Sequence, residues 1–235
     1  MTSDMADTVH ALEPIGVKPE PLAEIVFGIV RDAIVRKDLP PGSRISEARL
    51  AAQLNVSKTP VREALLRLEG IGLIVPDGNR GARVVKPSAD NIQHAFEVRT
   101  ALEGFAARQS AASAAPTDHA LLLDLAEQSL QLAEAGDGAG FRELDQQLHA
   151  AIAQSTGNEL LARLASNAYT LVWALRQRDT PSIGYQVGCA QEHLRIVDAI
   201  AAHDATRAEA EMTGHIEKSR QFVLNFFLNG PVKTG

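Results

Sequence analysis

The run Leu39-Pro40-Pro41-Gly42 sets the tightest limit on what this chain can fold into. Two prolines and a glycine cannot continue a helix. The helical spacing of Leu22, Ile25, Val26, Ile29 and Ala33 must therefore end there. The next stretch is short and punctuated. Ser46 is placed to cap a second helix carrying Leu50 and Leu54, and Asn55-Val56 makes a turn. Ser57 is placed to cap a third helix, with Pro60 tolerated in its first turn. Val61, Ala64, Leu65 and Leu68 share one face of that helix, and Gly70 and Gly72 close it. Leu73-Ile74-Val75, then Asp77 to Gly81, then Ala82-Arg83-Val84-Val85 read as strand, turn, strand. Three helices and a hairpin within 21–86 predict a winged helix-turn-helix.

Beyond the boundary at Lys86-Pro87-Ser88 only helical spacing is found. The expected spans are 89–110, 117–135, 138–155, 158–179, 185–203 and 205–228, and no proline falls inside any of them. Asp118, Asn158 and Asp204 lie near the starts, and Gly136, Gly138 and Gly157 punctuate. The chain is thus expected to be mainly α, with an antiparallel bundle of six to seven helices over 87–230. Residues 1–20 are acidic, with scattered prolines and no basic-then-apolar leader pattern, and are expected to form a flexible tail.

Charge divides along the same boundary. The net charge is −6, yet residues 21–86 hold 11 Lys and Arg against 7 Asp and Glu, while 87–235 hold 11 against 18. A basic N-terminal module beside an acidic C-terminal one points to a nucleic-acid partner for the first alone. No apolar run reaches the roughly 18 residues of a membrane span. The single cysteine, Cys189, excludes an internal disulfide framework and fits a cytoplasmic location.

In a helix-turn-helix the second helix enters the major groove with its leading residues at the base edges. Here those are Ser57, Lys58 and Thr59. Lys58 can donate to guanine, and Thr59 to a base or phosphate. Arg49 and Arg62 are placed to hold phosphates on either side, and Arg80, at the hairpin tip, to reach the minor groove or a phosphate. Singly, each is better explained as a solvated charge; the joint pattern favours DNA. The run Leu50-Ala51-x-x-Leu54-x-Val56-Ser57-Lys58-Thr59-Pro60-Val61-Arg62-Glu63-Ala64-Leu65-x-Arg67-Leu68 resembles the signature of the GntR family of transcriptional regulators, as do Leu39-x-Pro41-Gly42 and Gly72-Leu73. The family usually has arginine where this chain has Lys58. Lysine lacks arginine's planar fork, which weakens the expectation of a guanine at that base.

The helical region carries polar residues on its inward stripes. One stripe is Phe141, Leu144/Asp145, Leu148/His149 and Ile152; a second is His193, Ile196/Val197 and Ile200; a third is Ala208, Met212, His215, Ser219, Phe222 and Phe226. Asp145 and His149 stand four apart and share a face. Burying such groups unpaired costs on the order of 1–3 kcal/mol each. A shared divalent metal would satisfy all four, with zinc favoured and nickel or manganese also accepting N/O ligands. The alternative is separately satisfied core residues. His10, His94, His119 and His203 lack this placement and are expected at the surface.

Arg99-x-x-Leu102-Glu103, Asp145-x-x-Leu148-His149, Gly157-Asn158, Glu192-His193-x-x-Ile196-x-x-Ala199-Ile200 and His215 resemble the FCD ligand-binding domain of FadR-type GntR regulators, in its short VanR-like branch. The resemblance implies that Asp145, His149, His193 and His215 bind one metal, and that a small organic or sugar acid is the effector. Arg99 can clamp an effector carboxylate or pair with Glu103. Tyr169, Trp173 and Arg176 are placed by helix phase in the same pocket, with plain core the preferred reading for Trp173.

The expectation is therefore a homodimeric transcriptional regulator, acting as a repressor on double-stranded palindromic operator DNA. A carboxylate effector bound near a metal would control it. A direct metal sensor, a metal-free variant and a metalloenzyme activating water are the rivals. The last lacks an inward spare carboxylate as general base and leaves the DNA module idle.

Overall fold

The computed structural model describes residues 22–78, 81–176 and 181–230. The tail expected over 1–20, His10 and Arg80 at the hairpin tip lie outside the described residues.

The N-terminal module runs α1 (Leu22–Val35), β1 (Arg44–Ile45), α2 (Glu47–Leu54), α3 (Lys58–Gly70), β2 (Ile74–Pro76) and β3 (Ala82–Val84). The antiparallel sheet has the order β1-β3-β2, with Ile45 opposite Ala82 and Ile74 opposite Val84. β1 is not among the expected elements, because two residues are too few for alternation to show. It is joined to the hairpin by the Val84 N–H donating to Ser43 O at 3.0 Å and the Gly42 N–H donating to Val84 O at 2.9 Å. Gly81 makes this closure feasible: its φ is +98°, and a Cβ there would stand 2.6 Å from Ile45 O.

Two local expectations need correction. The first helix buries Val26, Phe27, Val30 and Ile34, whereas Leu22, Ile25 and Ile29 stay exposed. Two apolar faces overlap at Val26, and contact with α3 selects the Phe27 side. Ser46 and Ser57 do occupy N-cap positions with extended backbone, but neither hydroxyl bonds back to its helix.

Six further helices follow among the described residues: α4 (Ala89–Ser113), α5 (Pro116–Glu134), α6 (Gly138–Gln154), α7 (Glu159–Leu175), α8 (Ile183–Ala201) and α9 (Ala205–Asn229). Asn158 and Asp204 cap their helices by accepting from the Leu161 and Arg207 N–H groups at 3.1 and 3.0 Å. Asp118 sits inside the first turn instead, where its carboxylate accepts from the Ala115 N–H at 2.9 Å. The helix expected over 158–179 stops at Leu175. Arg176 turns to extended backbone (φ −61°, ψ 137°) and lays its guanidinium 4.4 Å from the Trp173 ring centre.

Ile92, Phe96, Leu122, Leu148, Ile152, Ile196, Ile200 and Met212 form the bundle core. Burial of side chains this size contributes about 1.5–3 kcal/mol each. Phe222 and Phe226, expected inward, are only half-buried; Ile216 and Val223 take the inward positions on α9 instead. Helix α7 belongs to both halves of the molecule. Its Ala174 lies within the winged-helix core, and Leu171 packs against both cores.

Candidate DNA interface and metal centre

On the N-terminal module, packing Val61, Ala64, Leu65 and Leu68 inward turns the opposite face of α3 to solvent. Ser57, Lys58, Thr59 and Arg62 are exposed along it, and Arg49 is exposed on α2. The start of α3 presents free N–H groups and the positive end of the helix dipole to solvent, which suits a phosphate. Arg62 is not idle: its Nε and Nη2 donate to the two carboxylate oxygens of Glu47 at 3.1 and 3.0 Å. A phosphate must therefore compete with Glu47 for that fork. Beside the wing, Asp77 holds both Arg44 and Arg83, each at 3.0 Å. Arg67, later on α3, is committed to Glu24 at 2.5 Å and lies 4.2 Å from the Phe27 ring centre.

Within the bundle, α6, α8 and α9 bring Asp145, His149, His193 and His215 together. One donor atom of each lies within 4.8 Å of all the others. The imidazole centroids are 4.7 Å apart for His193 and His215, 5.4 Å for His149 and His193, and 5.3 Å for His149 and His215. All three histidines are buried, and Asp145 retains only a little exposure.

The surrounding charges explain how this cluster is tolerated. Arg99 donates to Glu103 through Nε at 2.7 Å and Nη2 at 3.3 Å, so the intrahelical pair is the arrangement seen. Burial alone would raise the Glu103 carboxyl, but Arg99 and His149 hold it down at about 2. Arg99 Nη2 also approaches His149 Nε2 at 3.1 Å, and His149 Nδ1 stands 2.6 Å from Glu103 Oε2. His215 donates from Nδ1 to Glu192 Oε2 at 2.8 Å, which leaves its Nε2 lone pair directed elsewhere. Glu192 is itself anchored by Lys218 at 2.5 Å. Burial pushes the His215 imidazole down to about 4, against the pull of Glu192, and lowers His193 as well. Burial would raise Asp145, but His193, His149 and Arg99 hold it well below the usual carboxylate range. One anionic carboxylate and neutral His193 and His215 are the protonation states a divalent ion requires.

His193 tests the fit most directly. It is completely buried, yet neither ring nitrogen makes a hydrogen bond among the described residues; Nε2 only approaches Asp145 Oδ1 at 3.2 Å. An imidazole so placed is costly unless something else accepts its lone pair. The three-nitrogen, one-oxygen donor set suits zinc and its neighbours in the transition series.

A small cavity of about 30 Å³ opens beside this cluster, walled by Arg99, Asp145 and His215 and by Arg142, Arg176 and Gln186 among the rest. Arg176 is where helix phase placed it, but Tyr169 is not a wall of this cavity. Its hydroxyl instead donates to Asp145, and its ring lies 4.7 Å from the Arg99 guanidinium. Trp173 is no plain core residue: it is half-buried and lines both this cavity and the cleft between α1 and α6–α7. Sequence reasoning misses Arg142 and the anchoring role of Glu192. Arg142 follows the inward Phe141 and reads as an outward charge; Glu192 needs α9 in place before its partner appears.

Among the other histidines, His94 is exposed. His119 is not a plain surface residue: it is half-buried, 5.3 Å from the His203 ring centroid, because the α8–α9 turn folds over it. His203 donates from Nδ1 to Ala111 O at 2.9 Å.

Comparison with known proteins decides the family. Residues 94–218 match the FCD domain family, and residues 22–84 match the family described as bacterial regulatory proteins, gntR family. This chain is a GntR-family regulator. The regulator is 33% identical over 196 residues to the probable D-xylose utilization operon transcriptional repressor of Paenarthrobacter nicotinovorans, covering 80% of this chain and 84% of that one. It is 27% identical over 205 residues to the transcriptional repressor RspR of Escherichia coli (strain K12), covering 87% and 90%. Among solved structures, E. coli McbR/YncC has the same fold, with a TM-score of 0.75 at 20% identity over 89% of this chain and 100% of that one. A GntR regulator from Rhodococcus sp. RHA1 gives a TM-score of 0.67 at 26% identity over 86% and 97%. The regulator is thus a DNA-binding transcription factor, and the metalloenzyme alternative falls with that assignment. No described helix is long and apolar enough to cross a membrane.

Proposed function

We propose that this regulator is a repressor that binds a palindromic operator as a homodimer, and that a small carboxylate held beside a divalent metal in the bundle sets its operator affinity. The observation that carries the reading is the convergence of Asp145, His149, His193 and His215 beside a cavity that Asp145 and His215 wall together with Arg142 and Arg176. Asp145 and one ring nitrogen of each histidine would hold the ion, and the ion would supply open coordination sites for an acid. The ligands supply one negative charge, so a bound dication leaves the site positive before Arg142 and Arg176 are counted. That balance favours an anion. Arg142 and Arg176 join Arg99, which lines the same cavity, as the residues assigned to the effector.

Ser57, Lys58 and Thr59 are assigned to base edges and adjacent phosphates, and Arg49 and Arg62 to the backbone. A second copy is assigned to the face where Val98 and Phe105 of α4 and Leu160 and Leu164 of α7 remain exposed. Large apolar side chains left exposed on two helices that pack together suit an interface. The names of the curated relatives support repression.

The test starts from an operator selected out of a random duplex pool by the full chain. Metal-loaded and chelated protein are then titrated onto it with a panel of mono- and dicarboxylic acids. The reading expects at least one acid to shift operator affinity only when metal is present. Metal acting alone would instead make the protein a direct metal sensor. Affinity indifferent to every acid and to metal would remove the control scheme and leave the DNA-binding assignment standing.

A further inference from the structure

We infer that Lys37 is a positioning residue that clamps the DNA-binding module to the C-terminal end of α7, and so fixes the pose in which α3 is offered to the operator. Helix α1 ends at Val35, and Lys37 then adopts the left-handed conformation with φ 65°. Glycine or asparagine ordinarily takes that place after a helix, because other side chains are strained there. A lysine at this point is explained by where its side chain goes. Its Nζ crosses to the other domain and donates to Trp173 O at 3.3 Å and to Ala174 O. Those carbonyls belong to the last turn of α7, which lacks intrahelical donors and carries the negative end of the helix dipole. An ammonium group matches both needs.

The helix so clamped also reaches the metal cluster and the cavity. Tyr169, one turn before the clamp, donates to Asp145. Trp173, whose backbone oxygen accepts from Lys37, lines the cavity with its side chain. Ala174 lies inside the winged-helix core. Next to this contact the two domains stand apart: a cleft of about 580 Å³ separates Arg31, Val35 and Arg36 from Arg142, Gln146 and Thr170. Leu171 and Ala174 pack the domains together on one side of α7, and on the open side the Lys37 contact supplies the alignment.

The operator arm of the test rests on the dimer-on-palindrome reading proposed for this regulator; the distance arm does not. Lys37→Met keeps the aliphatic stem and removes the donor, Lys37→Gly suits the backbone and removes the side chain, and Lys37→Arg keeps the cation. Each full-length variant is measured on the selected operator and on a duplex carrying a single half-site. Distances between nitroxide labels at Gln53→Cys on α2 and Gln128→Cys on α5, both exposed positions, are recorded in parallel. A dimer that loses alignment loses effective concentration at the second half-site. Lys37→Met and Lys37→Gly should lower affinity for the whole operator about tenfold and leave half-site affinity within about twofold, with Lys37→Arg restoring most of the loss. The interdomain distance distribution should broaden in the first two and not in the third. An unchanged distribution in both donor-free variants overturns the inference, as does an equal loss on operator and half-site. If the unsubstituted chain shows no preference for the operator over its half-site, the palindrome reading has failed, and the distance distributions alone decide the clamp.

Discussion

The two ends of this regulator use charged side chains in opposite ways. On α3 the residues assigned to DNA are exposed and sequential, and the core beneath them is apolar. In the bundle the residues assigned to metal are buried, come from three helices, and lean on Glu103, Glu192, Arg99 and Tyr169. The first arrangement can be altered one residue at a time. In the second, each group fixes the protonation state or orientation of another, so a single change propagates. The contrast is between a surface that recognises and an interior that must hold itself together in order to recognise.

That contrast can be broken most forcefully at His193. Removing it in His193→Ala should lower zinc affinity by more than about a hundredfold, beyond the 10–100-fold cost typical of outer-shell partners. Elemental analysis after dialysis reads the loss, and full retention of metal would dismiss the ligand set. Next in size is Glu103→Gln, which leaves Arg99 as a buried cation without its partner. Breaking such a pair costs about 3–5 kcal/mol, read as a lowered denaturation midpoint. A change under roughly 1 kcal/mol, the value of an exposed pair, would show that the interior is not interlocked as described.

On the other side of the comparison, Lys58→Ala should weaken binding to the selected operator by about 1–3 kcal/mol while leaving the thermal midpoint unchanged. Loss of stability together with binding would erase the distinction between the two regions. Acid provides a graded version of the same test. His193 and His215 are lowered by burial, the latter to about 4, so the unfolded chain takes up protons first as pH falls below 6.5. Stability in the presence of chelator should be full above that pH. It should then decline toward pH 4 with a slope of about 1.4 kcal/mol per pH unit from each titrating histidine. The smallest expected effect is at Glu47→Ala, which frees Arg62 and should tighten operator binding by a few tenths to about 1 kcal/mol, the worth of an exposed ion pair. Weaker binding would show that Glu47 aims Arg62 rather than competing for it.

The difference between the regions also governs how legible each is in the sequence. The winged helix can be read because its order along the chain is its order in space: stop, turn, helix, hairpin. The exception is α1, where two overlapping apolar faces leave the buried one undecided until α3 is in place. The bundle's helix boundaries are legible from glycine, proline and cap residues. The 158–179 helix is the exception, since no glycine, proline or cap residue marks its stop at Leu175. That four polar residues point inward is legible from phase. Which carboxylate serves which histidine is not, because Glu103 and Glu192 meet their partners only through tertiary packing. For the same reason helix phase puts Tyr169 in the cavity, when its hydroxyl is engaged by Asp145 on another side.

Anomalous diffraction from crystals of the zinc-loaded regulator, recorded on both sides of the zinc edge, tests the heart of this account. It predicts a single strong peak per chain, about 2.0–2.2 Å from Asp145 and from one nitrogen each of His149, His193 and His215. A zinc-free cluster, or zinc bound only at some other place, would contradict it.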